Sequence, residues 1–182
     1  MTLSEKDAQL YYKLWFPLLD YVNQKCKVNP KLKNIAGAKR LNPKEVKEVA
    51  NVLWDNVNLI DQYLAECGEE LSEEHKEIVA GWKRRVRGQF IMERHLKKGS
   101  IFISMEGGRV YQVYGIISSW EEMFRFAPMP LIIEATFMPF HDVIISDGLV
   151  MPYNVLIGSG MKKELKDIYM EAKKRGLLIR SL

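Results

Sequence analysis

Cysteine is scarce in this chain, with 2 among 182 residues. Two thiols cannot build a disulfide framework or a four-thiolate zinc site. Cys26 and Cys67 fall in helix-like segments and are expected as reduced thiols packed like small hydrophobes, with a disulfide between them left open. Histidine is nearly as thin, with His75, His95 and His141 only. Apolar runs are short, such as Leu131-Ile132-Ile133 and Val143-Ile144-Ile145, far below the roughly 18 residues of a membrane span. The stretch from Met1 to Asp7 lacks the basic and apolar regions of a signal peptide. The expected location is therefore the cytoplasm, with no membrane partner. The 12 Gly and 7 Pro are ordinary counts, which excludes collagen-like and low-complexity classes. Wholesale disorder is excluded because 47% of the residues are hydrophobic and the net charge is only +4.

What is present changes character midway. Leu10, Leu14, Leu18 and Val22, flanked by Tyr11, Trp15 and Leu19, give a broad helical face from Ser4 to about Lys27. Pro17 falls inside it, which predicts a kink or two short helices. Residues 28–41 read as a connection. Asn42 then caps a helix that has Pro43 in its first turn and Glu45 at capping-box spacing. Its apolar face runs through Val46, Val49, Ala50, Leu53, Val57, Ile60 and Leu64 to a stop at Gly68. Ser72 caps a third helix, with Glu73 and Glu74 at its positive end and a stop at Gly88.

Beyond Gly88 the period becomes strand-like. Strands are expected near 89–96, 100–105, 109–117, 131–138, 143–146 and 149–156. The turns are Lys97-Lys98-Gly99, Glu106-Gly107-Gly108 and Asp147-Gly148. Pro152 marks the last strand as an edge or a bulge. Ser119 and Glu122 bracket a short inserted helix, and an amphipathic helix from about Met161 to Arg175 buries Leu165, Ile168, Tyr169 and Ala172. The expected fold is α+β. A helical N-terminal half packs on a mostly antiparallel, strongly curved sheet of five or six strands, including a partly open barrel, with a C-terminal helix. The expected division is a helical region over 1–87 and a β region over 88–182, unless the two form one integrated domain.

The modest net charge conceals a segregated pattern. Residues 25–47 carry eight basic and one acidic residue (+7), residues 48–77 nine acidic and one basic (−8), and residues 76–98 eight basic and two acidic (+6). Lys83, Arg84, Arg85, Arg87, Arg94, Lys97 and Lys98 are candidate binding residues for an anionic partner, by salt-sensitive contacts of the kind cations make with phosphates. The alternative is that they offset a helix dipole and face the acidic block. No helix-turn-helix, zinc-finger, RRM or KH pattern supports a nucleic-acid module.

Catalytic candidates are few. His141 and Asp142 are adjacent at a turn, as acid/base partners or metal ligands would be. Asp147 is a loop acid that doubles as ordinary turn chemistry. Glu134 and His95 complete that set. Gly158-Ser159-Gly160, followed by Lys162 and Lys163, opens a helix whose N–H groups suit an anion, but Walker spacing is absent. Clustered aromatics are expected in the core, with Tyr111 beside Arg109 as the exposed exception. No cofactor or metal is implied.

Several motifs occur together. They are Leu71-Ser72-Glu73-Glu74, Ile78-Val79, Trp82, Gly88-Gln89-Phe90, His95-Leu96-Lys97-Lys98, Ile101-Phe102-Ile103, Val113-Tyr114-Gly115, Met138-Pro139-Phe140 and Ile144-Ile145-Ser146-Asp147-Gly148-Leu149. In this order, over roughly residues 45–180, the chain resembles an uncharacterised bacterial domain family. That family has no established activity, cofactor or catalytic residue, so the resemblance implies none. Its pattern has Tyr where this chain has Ser146, and Lys/Gly-type residues where it has His141 and Asp142. The leading functional expectation is a non-enzymatic binding or interaction module. A protein partner is slightly favoured over nucleic acid, and homo-oligomerisation stays open. The alternative is a small hydrolase or metal-assisted enzyme using His141, Asp142 and Asp147.

Overall fold

The computed structural model describes residues 1–38 and 40–182. Lys39, part of the +7 block, lies outside the described residues. The chain divides into two compact units: Lys6–Lys83, and Met1–Glu5 together with Arg84–Leu182.

The first unit is helical. Helix α1 (Glu5–Cys26) runs through Pro17 as one helix rather than two short ones. Proline removes one helical donor, but the helix buries Tyr11, Leu14, Trp15, Leu18, Leu19 and Val22 on one face. Trp15 stacks on Trp54 with ring centres 5.4 Å apart and meets Trp82 edge-on at 5.6 Å. The helix expected from Asn42 to Gly68 is in fact two, α2 (Pro43–Asp55) and α3 (Asn58–Cys67). Asn56, at φ −135° and ψ 81°, leaves the helical region between them. The Asn42 side chain accepts from the Lys44 N–H at 3.1 Å. Ser72 caps α4 (Glu73–Gly81) by accepting from the His75 N–H at 3.2 Å. This helix stops at Gly81, short of the expected Gly88, and a single 3-10 turn follows at Trp82–Arg84.

Two polar side chains, the buried Asn23 and the half-buried Asp20, organise the connection after α1. Asn23 donates to the carbonyls of Asn29 and Leu32 and accepts from the Asn29 N–H. Asp20 accepts from the N–H groups of Ile35 and Ala36 at 2.6 and 2.9 Å. Both cysteines are free and exposed, which corrects the expectation that they pack as small hydrophobes. Each sits at the last residue of its helix, past the buried stripe.

The second unit is a mixed, mostly antiparallel sheet of six strands: β1 (Val86–Leu96), β2 (Gly99–Ser104), β3 (Val110–Val113), β4 (Leu131–Phe140), β5 (Val143–Ser146) and β6 (Met151–Pro152). The order is β1-β2-β3-β5-β4-β6, and β4 pairs back onto β1, so the sheet is partly ring-like. Between the named strands, the parallel pairing is that of β3 with β5, Val113 with Ile144. Where β5 leaves the β3 edge free, Ile179 takes its place, donating to the Val110 carbonyl and accepting from the Gln112 N–H, both at 2.9 Å.

Strand alternation builds two cores. Phe90, Met92, Phe102, Val113, Ile133 and Phe137 point to one face of the sheet with Trp120 of the short helix α5 (Trp120–Met123). Ile91, Ile101, Ile103 and Val110 point to the other, under Leu165, Tyr169 and Ala172 of α6 (Ser159–Lys174). The last expected strand shrinks to two residues, with Tyr153 adding one bond to the Ile132 carbonyl. Asp147-Gly148 does not turn a hairpin. β5 and β6 pair with the same strand, β4, and the register slips by two residues between them. The intervening stretch is therefore a bulge in one strand line. Tyr111 is also corrected: it is 1% exposed and meets Phe90 edge-on at 5.9 Å. The exposed ring is Phe126, at 94%.

Candidate functional site

The β1–β2 hairpin carries Lys97 and Lys98 at its tip, and the shape of the tip is set by Gly99. This glycine has φ +96°, and a Cβ there would lie 2.6 Å from the Val113 carbonyl oxygen. Only glycine lets the turn close this tightly on β3. One residue further, Ser100 pairs with His95 across the hairpin. Ser100 Oγ and His95 Nδ1 share a 2.8 Å hydrogen bond. Burial holds the imidazole below its usual 6.5. The Glu121 carboxylate pulls it back up, and the N-terminal ammonium adds a further downward push.

Beside this tip lies a cleft of about 530 Å³, lined by Leu96, Lys97, Lys98, Gln112, Tyr114, Asp142, Val143 and Arg180. Gln112 is its keystone. The side chain is nearly buried and donates to the Lys98 carbonyl while accepting from Arg180 Nε at 3.2 Å. A single amide thereby links the hairpin tip to the chain segment that fills the β3 edge. Lys97 and Lys98 are exposed, and neither lysine nor Arg180 forms an ion pair with another described residue. The cleft therefore gathers three cations that form no ion pair with another described residue, with the Asp142 carboxylate in the same lining. It has the size and the mixed apolar and polar lining of a ligand pocket.

The other basic candidates are placed differently. Lys83 donates to both carboxylate oxygens of Asp61, at 2.7 and 2.9 Å. Arg84 Nε donates to the Leu182 carbonyl at 3.2 Å. Arg94 is bound through two nitrogens to Glu93 and lies over the Tyr169 ring. The Glu93 hydrogen bond raises the Arg94 pKa. Arg85 is half-buried, and Arg87 is exposed on β1.

The catalytic candidates do not gather at one point. His141, at φ +49°, and Asp142 form the exposed β4–β5 turn, and the His141 ring rests against Phe140. Asp147 lies at the other end of β5, 4% exposed, accepting from the Leu149 N–H at 3.0 Å. Glu134 accepts from the Tyr153 hydroxyl at 3.4 Å. No group of three His, Cys, Asp or Glu side chains among the described residues could hold a metal ion. Gly158-Ser159-Gly160 is a plain helix entry, with Gly158 in the cap position and the Lys162 N–H donating to its carbonyl at 3.0 Å.

Of the residues lining the cleft, Lys97 and Lys98 are binding candidates from the sequence and Asp142 a catalytic one, whereas Gln112, Tyr114 and Arg180 are not singled out there. No local pattern distinguishes those three. They meet because Ile179 pairs with Tyr111, far away in the chain. The fold and cleft define an α+β protein with a cationic pocket at the end of its sheet. No family model, curated protein or solved structure matches the chain. Among the described residues, no helix is long and apolar enough to cross a membrane.

Proposed function

We propose that the protein is a non-enzymatic binding module that takes a protein partner through acidic side chains, with the hairpin-end cleft as the docking point. The supporting observation is how the cations are sorted. Lys97, Lys98 and Arg180 line one cleft without ion pairs, whereas Lys83, Arg84 and Arg94 are engaged within their own units. A polynucleotide is held by a run of available cations that follow successive phosphates. A short cluster with the rest of its run engaged suits a compact acidic feature of a protein better. A cytoplasmic setting, and kinship with the bacterial family that the motifs resemble, belong to the same proposal. The hydrolase alternative needs His141, Asp142 and Asp147 together, and it draws no support from their positions at the two ends of β5.

The test is titration of the protein with a fluorescent Glu-rich peptide and with duplex DNA, at roughly 50 and 300 mM salt. The peptide is expected to bind more tightly than DNA, and K97A/K98A is expected to weaken it by about tenfold at the lower salt. Tighter binding of DNA, or equal peptide binding by the double variant, overturns the reading.

A further inference from the structure

The cleft has charges of both signs. Asp142 lines it along with Lys97, Lys98 and Arg180, yet it forms no ion pair with any of them, and no other partner among the described residues satisfies it. A lone carboxylate beside three cations would ordinarily collapse onto one of them, unless the backbone holds the groups apart. Here the groups stand on separate backbone segments. Asp142 is fixed by the β4–β5 turn, where Phe140 pairs with Val143 and His141 adopts φ +49°. The lysines are fixed by the glycine-closed β1–β2 turn. Arg180 is held through Gln112. Three separate segments thus present opposite charges across one gap without neutralising them.

We infer that the partner segment bound here carries a paired charge: a carboxylate next to an ammonium or guanidinium. The carboxylate meets Lys97, Lys98 and Arg180, and the cation meets Asp142. Charge complementarity across an interface sets register and rejects wrong partners. A purely acidic segment would leave Asp142 facing like charge. This inference rests on the proposed role of the cleft and adds the chemistry of what fills it.

The experiment compares two acetylated, amidated peptides of equal length, one alternating Glu and Lys and the other alternating Glu and Gln, with the parent protein and with D142N. The Glu-Lys peptide is expected to bind the parent about fivefold more tightly, despite its smaller net charge. D142N is expected to abolish that preference while leaving Glu-Gln binding equal or stronger. Equal or tighter parent binding of Glu-Gln overturns this inference alone, as does a preference that survives in D142N. Failure of both peptides to bind overturns it together with the proposed function. Asp142 sits on an exposed turn, and unchanged thermal unfolding of D142N serves as the folding control.

Discussion

The guanidinium carbon of Arg94 lies 4.3 Å from the centre of the Tyr169 ring, so a charged residue of β1 is stacked against α6. Arg94 also neutralises Glu93, whose side chain is only 6% exposed. R94A leaves that carboxylate unpaired and is expected to destabilise the sheet unit by about 2–3 kcal/mol, toward the lower end for a broken buried pair because Arg94 is partly exposed. Urea unfolding reads the loss. Affinity for an acidic peptide should not change, because Arg94 does not line the cleft.

His95 gives the sheet unit a pH dependence. Its folded-state pKa is held below the ordinary value, first by burial. A base with a depressed folded pKa contributes stability above its unfolded pKa, and that contribution is lost as pH falls through the folded value. Stability should therefore decline as pH drops below about 6.5. H95N should flatten that slope in thermal unfolding scans; an identical slope would assign the decline to other groups.

Asp147 and Gly148 are expected to serve the strand bulge. Gly148 has φ +78°, so G148A should cost about 1–2 kcal/mol. D147N, which keeps an acceptor for the Leu149 N–H, should cost less than D147A. All three variants should retain peptide binding, measured by anisotropy, since none of these residues lines the cleft.

Gln112 holds Arg180 by a hydrogen bond from the guanidinium to its neutral amide oxygen. Q112L fills similar volume without the amide, so it releases both Arg180 and the Lys98 carbonyl. We expect about threefold to tenfold weaker binding of an acidic peptide, the range of one ordinary hydrogen bond lost, since Arg180 is held indirectly. Q112L should weaken binding less in the R180A background than in the parent, because the part of its effect that runs through Arg180 is then already gone.

Both thiols should be modified under native conditions. Cys26 and Cys67 are exposed, so two equivalents of a thiol reagent should react without denaturant. Slow reaction of either thiol would contradict the exposed helix-end positions.

The parts of this fold that were legible in the sequence have local causes. Ser119 and Glu122 form a complete capping box, with the serine hydroxyl accepting from the Glu122 N–H and the Ser119 N–H donating to the Glu122 carboxylate. That contact also lowers the Glu122 pKa. Gly176 takes the left-handed conformation that ends α6. The alternation of Ile101, Phe102 and Ile103 between two cores is visible as period 2. The break at Asn56 was not legible, because Val57, Ile60 and Leu64 keep the apolar period across it. The bulge was not legible either. Asp-Gly marks a turn in either case, and only the pairing of β5 and β6 with one strand distinguishes the two. The cleft was half legible, because cations at a hairpin tip announce themselves, whereas Gln112 and Arg180 acquire their roles only through contact over long sequence distance.

The sheet unit is discontinuous in sequence. Thr2 bridges to Gly115, with Leu3 donating to the Gly115 carbonyl and Gly115 to that of Met1, while Lys6–Lys83 forms the helical unit in between. Topologically, then, the helices are an insertion that the sheet must span to recover its first residues. If that insertion stays unstructured, closing the loop costs entropy that grows only with the logarithm of its length. A fragment beginning at Arg84 would therefore lack the residues that pair with Gly115, although it keeps all six strands.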